Sequence, residues 1–341
     1  MQNRNQISKF TVLTGDRPTG PLHLGHYAGS IQERLKLQSN NDVKCFVMVA
    51  DAQAYTDNIN NTQKVRNAIN TIVADYIGCG IDPNKTTIFL QSAVPELAEL
   101  SQLYMNMTSL SRLERNPTIK DELKQRGYSR DVPAGFLCYP VAQAADITGF
   151  KATHVPVGED QLPMIELAQE LARKINRAAD REILPIPTAV LSKTGRLMGI
   201  DGQRKASKSL GNAIHLEDED EEIEKKVMQM FTDPNHIRVS DPGKVEGNVV
   251  FEYLDAFHAD VDEVAELKTR YQRGGLGDVK VKRILLRTLK KLIGEIRSRR
   301  DPVIANKGLV SSILTKGSLE ARDCVAEVLS DVKRSLGMFE L

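Results

Sequence analysis

An α/β fold built on a doubly wound parallel sheet, followed by an all-helical region, is what this chain predicts, on three observations. From Phe10 to about Thr194, apolar runs of strand length alternate with segments of helical periodicity. The stretch from about Leu184 to Gly211 then becomes rich in Pro, Gly, Lys and Ser, and beyond about Ile223 only helical patterns follow. Strands that are apolar throughout and separated by helices are buried on both faces, which is the property of βαβ units in a parallel sheet.

The first strand is FTVLT (10–14). A Gly/Pro-rich turn follows it, and a helix begins near Leu22 to Leu24. Helical periodicity marks IQERLKLQ (31–38) and VRNAINTIVADYIGCG (65–80), while VKCFVMVAD (43–51) and KTTIFLQS (85–92) read as buried strands. A further helix is expected to start near Pro140, because Pro fits the first helical turn. It places Tyr139, Gln143 and Asp146 at i, i+4 and i+7, on one face. VPVGEDQ (155–161) reads as a strand ending in a polar turn, and MIELAQELARKIN (164–176) as a helix. Leu184 to Gly211 is expected to be one long functional loop. The acidic run Glu217 to Glu222 complements a helix dipole and is expected to open the helix EIEKKVMQMF. Last comes VKVKRILLRTLKKLIGEIRSRR, with Val281, Ile284, Leu285, Leu289, Leu292 and Ile296 near one face. Nine Lys/Arg and one acid, Glu295, lie between Lys280 and Arg300, which suits either a solvated outer face or one that meets RNA. The expected division is 1–212 and 213–341.

Composition narrows the classes. At roughly 150 residues per domain, 341 residues make two domains or one large one. With 46 Lys+Arg against 45 Asp+Glu, any basic surface is local, and a histone-like binder is excluded. Hydrophobic residues at 41% and charged residues at 27% argue against disorder, collagen and a disulfide miniprotein. Cys45, Cys79, Cys138 and Cys324 stand singly, without zinc spacing, as expected of free thiols in a reducing cytosol; no metal site is expected. MQNRNQISKF has no apolar h-region, and no later stretch reaches the roughly 18 apolar residues that span a bilayer, so a cytoplasmic location without membrane contact is expected. Trp is absent altogether, where about one per hundred residues is ordinary.

Two segments carry chemistry. In TGDRPTGPLHLGHYAGS (14–30), Gly15 and Gly20 allow close backbone approach, and the helix N-terminus that follows presents unpaired N–H groups to a phosphate. His23 and His26 share one end of that helix. A zinc pair would need further ligands, and none is nearby, whereas two imidazole donors can stabilise charge developing at phosphorus. In QRKASKSLGN (203–212), Arg204, Lys205 and Lys208, with Ser207 and Ser209, form a loop able to fold over a pyrophosphate. Alone this is an ordinary surface pattern. After the first segment it gains weight.

Together the two segments resemble the HIGH and KMSKS signatures of class I aminoacyl-tRNA synthetases, here HLGH (23–26) and KASKS (205–209). The resemblance implies a Rossmann-like catalytic domain. Ala206 in place of Met removes an apolar anchor but keeps both lysines. Within that class the chain is similar to the tryptophanyl-tRNA synthetase family in the P-T-G turn, the A-A-D-I helix, the V-P-V-G-E-D-Q turn, L-E-R with the polar segment at 113–120, and GGLGDVKVK (274–282). This likeness implies that Asp146 accepts the indole N–H, that Tyr139, Gln143 and Gln161 surround the substrate ammonium, and that Leu13 and Gly15 complete the tryptophan site. Gln143 stands where many bacterial members carry Met. It implies ATP contacts at Arg17, Thr19, Gly25, His26, Gly158, Glu159, Asp160, Leu197 and Met198, and at Lys205, Ala206, Ser207, Lys208 and Ser209. His23, His26, Lys205 and Lys208 are the implied catalytic groups.

The tyrosine enzymes are the nearest alternative, since Gln143 and Asp146 also fit their Q-x-x-D helix. Against them, Leu13 stands where they carry Tyr, and the turn reads GEDQ rather than a glycine doublet before D-Q. The reaction implied is activation of L-tryptophan by ATP with Mg²⁺, then transfer to tRNA(Trp), by a homodimer whose helices beyond about residue 213 meet the anticodon. Helix 280–300 is the candidate RNA surface. A non-catalytic tryptophan or tRNA sensor would not need both signatures, and a smaller nucleotidyltransferase would leave the helical region unexplained. The missing Trp fits an enzyme whose synthesis must continue when charged tRNA(Trp) runs short.

Overall fold

The structure, a computed structural model, describes residues 10–128, 131–191, 197–208 and 210–339. Its sheet has five parallel strands in the order β3-β2-β1-β4-β5: β1 (Phe10–Asp16), β2 (Val43–Val49), β3 (Thr86–Leu90), β4 (His154–Val157) and β5 (Thr188–Leu191). β1 and β2 pair from Phe10↔Val43 to Asp16↔Val49, and β1 touches β4 at Val12↔His154. The chain winds outward from β1 through β3, then returns to the far side of β1. Winding therefore reverses between β1 and β4, and the strand ends splay there into the crevice where open α/β sheets bind ligands.

The helices of the first part are α1 (Leu24–His26), continued through a π turn at Tyr27–Ile31 into α2 (Gln32–Gln38), then α3 (Asp51–Asn58), α4 (Thr62–Cys79), α5 (Pro95–Met105), α6 (Leu110–Glu114), α7 (Pro117–Arg126), α8 (Ala134–Gly149) and α9 (Leu162–Ala178). The second part comprises α10 (Asp220–Gln229), α11 (Val249–Phe257), α12 (Val261–Arg273), α13 (Asp278–Ala305) and α14 (Lys307–Ser335).

Alternation along the strands assigns the core. Val12, Cys45, Val47 and Val49 join one apolar cluster with α4, α11 and α13, while Leu13, Phe46 and Met48 join the other with α5, α8, α9 and α14. The C-terminal helices are thus part of both cores. α14 lies so close to β3 that a Cβ at Gly317 would collide with the Ile88 carbonyl, and Ser318 Oγ accepts the Leu90 N–H at 3.1 Å. That covers the sheet edge with a helix instead of leaving its N–H groups open.

Three expectations need correction. α8 starts at Ala134 rather than near Pro140, which lies inside it. Proline removes one hydrogen bond, but the turn before it carries Phe136 and Tyr139 into the interior, and their burial holds the extra turns. The stretch from Leu184 to Gly211 contains β5, a short strand that directly follows Pro185 and Pro187. Finally, α10 begins at Asp220, not Glu217. Glu217 instead receives Arg300 at 2.6 Å, and Asp218 receives Lys226 at 2.6 Å and the His215 N–H at 2.8 Å, so tertiary partners hold both acids outside the helix.

The basic helix is divided. Lys290 pairs with Glu224, Arg297 with Glu219 and Asp220, and Arg300 with Asp75, while Lys282 and Arg299 donate to the carbonyls of Met228 and Gly78. Lys280, Arg283, Arg287 and Lys291 form the exposed stripe.

Candidate active site

The site grows from the C-terminal end of β1. A Cβ at Gly15 would strike the Met48 carbonyl, so only glycine lets β1 and β2 close up there. Asp16, the next residue, accepts from Arg34 Nη1 and from the Tyr76 hydroxyl, both at 2.7 Å. Burial alone would raise the Asp16 pKa, yet the Arg34 charge holds it well below the ordinary carboxylate range. Arg34 is itself 1% exposed, so this pair is an internal strut beneath the turn.

Beside the strut opens a cavity of about 340 Å³, lined by Leu13, Gly15, Tyr139, Gln143, Asp146 and Gln161, among others. All the residues expected around tryptophan therefore meet in one place, although they come from β1, α8 and the turn after β4. Asp146 lies deep in this cavity, 2% exposed. The Gln91 amide donates to both its oxygens, at 3.0 and 2.9 Å. Burial pushes the Asp146 pKa up to about 7, opposed by the Gln91 bond. Gln91 is oriented in turn by the Gln53 N–H, which its Oε1 accepts at 3.0 Å. Toward the mouth, Gln143 donates to Gln161 Oε1 at 3.2 Å, and Gln161 donates to Asp160 at 3.1 Å.

A second cavity of about 900 Å³ adjoins the first and shares Gly29, Ser30, Val157, Gly158 and Gln161 with it. His23, Gly25, His26, Glu159, Asp160, Leu197, Lys205 and Ala206 line it, so most of the expected ATP residues gather here. The histidines cap each other's turn. His23 Nδ1 accepts the Gly25 N–H at 3.1 Å, and His26 Nδ1 accepts the His23 N–H at 3.3 Å. An accepting Nδ1 leaves the proton on Nε2, so each neutral ring presents one N–H donor. The pKa of His23 is lowered to about 2 and that of His26 to about 4, chiefly by burial, with the neighbouring His26 and Lys208 contributing to the first and Asp16 partly opposing the second. Both rings are thus neutral near pH 7.

Not every expected ATP residue lines this cavity. Arg17 lines the first one and pairs with Asp57 at 3.2 Å. Thr19 shapes the turn through its N–H to the Arg17 carbonyl at 2.9 Å. Met198 is held by its backbone, its N–H donating to Glu252 at 2.7 Å and its carbonyl accepting from Tyr253 at 2.9 Å. The Ser207 N–H donates to Asn212 at 2.9 Å, and Lys208 Nζ donates to the Gly20 carbonyl at 2.8 Å, which seats the loop on the Pro-Thr-Gly turn. Burial lowers the Lys208 pKa, with Asp16 and Asp75 opposing. Ser209 lies outside the described residues.

Sequence reading missed Gln91, Arg34, Glu122, Glu252 and Asp75. Only Gln91 left a signal: a polar residue that closes the apolar run of β3 stands where such sheets place ligands. Among the described residues no helix is long and apolar enough to cross a membrane.

Comparison with known proteins gives the family. The family model described as tRNA synthetases class I (W and Y) matches residues 5–294. A tryptophan-tRNA ligase of Clostridium longisporum is 53% identical over 334 residues, covering 97% of this chain and 98% of that protein. One of Streptococcus pneumoniae serotype 4 is 51% identical over 337 residues, with 97% and 99% covered. The crystal structure of tryptophanyl-tRNA synthetase from Campylobacter jejuni complexed with ADP and tryptophan superposes with a TM-score of 0.83 at 30% identity, covering 96% of this chain and all of that one. The chain belongs to the class I tRNA synthetases of the tryptophan and tyrosine group, within their tryptophan-tRNA ligase family.

Proposed function

We propose that this chain activates L-tryptophan with ATP to tryptophanyl-AMP and transfers the aminoacyl group to tRNA(Trp), releasing diphosphate and then AMP. The observation that carries this reading is Asp146, a buried carboxylate at the base of a cavity of about 340 Å³ that opens directly onto the histidine-lined cavity. An indole N–H would replace or share the Gln91 donors there. An amino acid without a ring N–H would leave the carboxylate desolvated, a penalty able to give discrimination of roughly 10⁴–10⁵.

In the first step a tryptophan carboxylate oxygen attacks the α-phosphorus, and the bond to the bridging oxygen breaks, giving pyrophosphate. No protein nucleophile is needed; alignment and electrostatics supply the catalysis. On this reading His23 and His26 direct Nε2–H donors at the α-phosphate, and Lys205 and Lys208 balance the pyrophosphate charge. Arg17, Thr19, Gly25, Gly158, Glu159, Asp160, Leu197, Met198, Ala206, Ser207 and Ser209 bound the nucleotide. Leu13, Gly15, Tyr139, Gln143 and Gln161 complete the tryptophan site. Lys208 leaves Gly20 when a phosphate arrives, since a charged partner is the stronger acceptor. Among the described residues no group of three or more His, Cys, Asp or Glu side chains could hold a metal ion. Mg²⁺ would therefore travel with the nucleotide phosphates, which ask for few protein ligands.

The same reading divides the chain into a catalytic part (1–212) and a tRNA-binding part (213–341), with the exposed stripe of α13 on the RNA, in a cytoplasmic homodimer. Amino-acid-dependent ATP–pyrophosphate exchange tests it. Exchange with tryptophan alone is expected among the twenty amino acids; exchange with tyrosine, or none, would sink the assignment.

A further inference from the structure

Recognition of a zwitterion needs a negative charge near its ammonium. Three carboxylates line the first cavity: Asp16, Asp146 and Glu122. Two are already committed. Asp16 is neutralised by its ion pair with Arg34 and also accepts from Tyr76, both at 2.7 Å on Oδ2. Asp146 is held on both oxygens by Gln91 at the apolar depth of the cavity, where the proposed ligand is an uncharged indole N–H. Glu122, on α7, differs from both. Among the described residues it makes one hydrogen bond, accepted by Oε2 from the Tyr139 hydroxyl at 3.2 Å, and no ion pair. It is half-buried.

Tyr139 fixes where that charge acts. It lies one helical turn from Gln143, and Gln143 donates to Gln161 at 3.2 Å, so Glu122 joins the polar end of the cavity. The two glutamines there are neutral and offer dipoles only. A cation bonded solely to neutral acceptors would be taken out of water without a counter-charge, which is costly.

We infer that Glu122 is the counter-ion of the substrate's α-ammonium group, oriented by Tyr139, and that it selects for a free amine. This rests on the tryptophan reading above. The α7 carboxylate is then a specificity determinant in its own right, and the Gln143–Gln161 pair orients the ammonium without charging the site.

The test uses the full-length chain and three ligands: tryptophan, tryptamine, which keeps the amine and lacks the carboxylate, and indole-3-propionate, which lacks the amine. Because the chain contains no Trp, indole fluorescence comes from the ligand alone, and its change on binding is the readout. Glu122→Gln keeps the size and can still accept from Tyr139. It is expected to weaken tryptophan and tryptamine by about tenfold or more, the difference between a charged and a neutral partner. Indole-3-propionate should bind as well as before or better, and KM for ATP should not change. Glu122→Asp should retain part of the preference for the amine. Equal weakening of all three ligands would mark Glu122 as merely structural, and no change in any of them would exclude it from the site. Either result overturns the inference while wild-type exchange with tryptophan stands. Wild-type protein without tryptophan-dependent exchange would mark the failure of the tryptophan reading itself, and this inference would fall with it.

Discussion

Arg300 of α13 donates from Nε to Asp75 Oδ1 at 2.6 Å, and the other oxygen of Asp75 accepts the Leu22 N–H at 2.8 Å. Asp75 is fully buried in α4, and Leu22 immediately precedes His23. One carboxylate thus ties the turn that carries the histidines to a helix of the proposed tRNA-binding part. Removing one partner of a buried ion pair leaves the other charge uncompensated, at a cost of roughly 3–5 kcal/mol. Asp75→Ala is therefore expected to lower unfolding stability by about that much, and Arg300→Met to do likewise, whereas the double variant loses less than the sum. Urea unfolding of the four proteins checks this; additive losses would show that the pair is not coupled.

Asp146 makes the pH dependence of tryptophan binding a direct readout. Its pKa is raised to about 7, so the carboxylate that accepts the indole N–H prevails above that pH and takes up a proton below it. The kcat/KM for tryptophan should fall as pH drops through about 7, approaching tenfold per unit, while KM for ATP stays flat. Asp146→Ala should abolish both the pH dependence and the discrimination against phenylalanine.

Gln91 controls where that transition lies. Its two donors lower the Asp146 pKa against the effect of burial. Gln91→Leu removes them and should move the acid limb of tryptophan binding to higher pH. A limb that stays in place, or moves down, contradicts the role assigned to the amide.

The histidines should contribute no such limb. With His23 lowered to about 2 and His26 to about 4, both rings are already neutral at pH 5 and remain so upward. The kcat of pyrophosphate exchange should show no ionisation assignable to them between pH 5 and 8. Replacing His23 with Ala should nonetheless reduce kcat by on the order of 10²–10³, the worth of one preorganised donor.

On α13, the exposed stripe and the paired residues should separate two functions. Reversing Arg283 and Arg287 to Glu is expected to weaken tRNA charging and flatten its salt dependence, by about one unit of slope per lost phosphate contact, with tryptophan-dependent exchange intact. Charging unchanged at all salt concentrations would place the RNA elsewhere.

Much of this molecule is legible in its sequence, because local pattern fixes local structure. The unbroken apolar run in Cys45–Val49 marks a strand buried on both faces, as its residues prove to be, and the Gly/Pro turn with its His-x-x-His sequence marks the phosphate end before any fold is known. The spacing of Tyr139, Gln143 and Asp146 survives even though α8 starts earlier than its proline suggested. What the sequence could not supply are partners brought together by long-range packing. Gln91 on Asp146, Arg34 on Asp16, Arg300 on Asp75 and Glu122 on Tyr139 are meetings of separate elements, and periodicity carries no record of distance between elements. The same holds for α13, whose charges look alike in sequence and are sorted into buried struts and a free stripe only by what α4 and α10 place against them. Sequence alone determined which chemistry the chain carries and at which strand ends; the tertiary structure decided which charges remain available to perform it, because the dielectric and the neighbours of a side chain exist only once the core has closed.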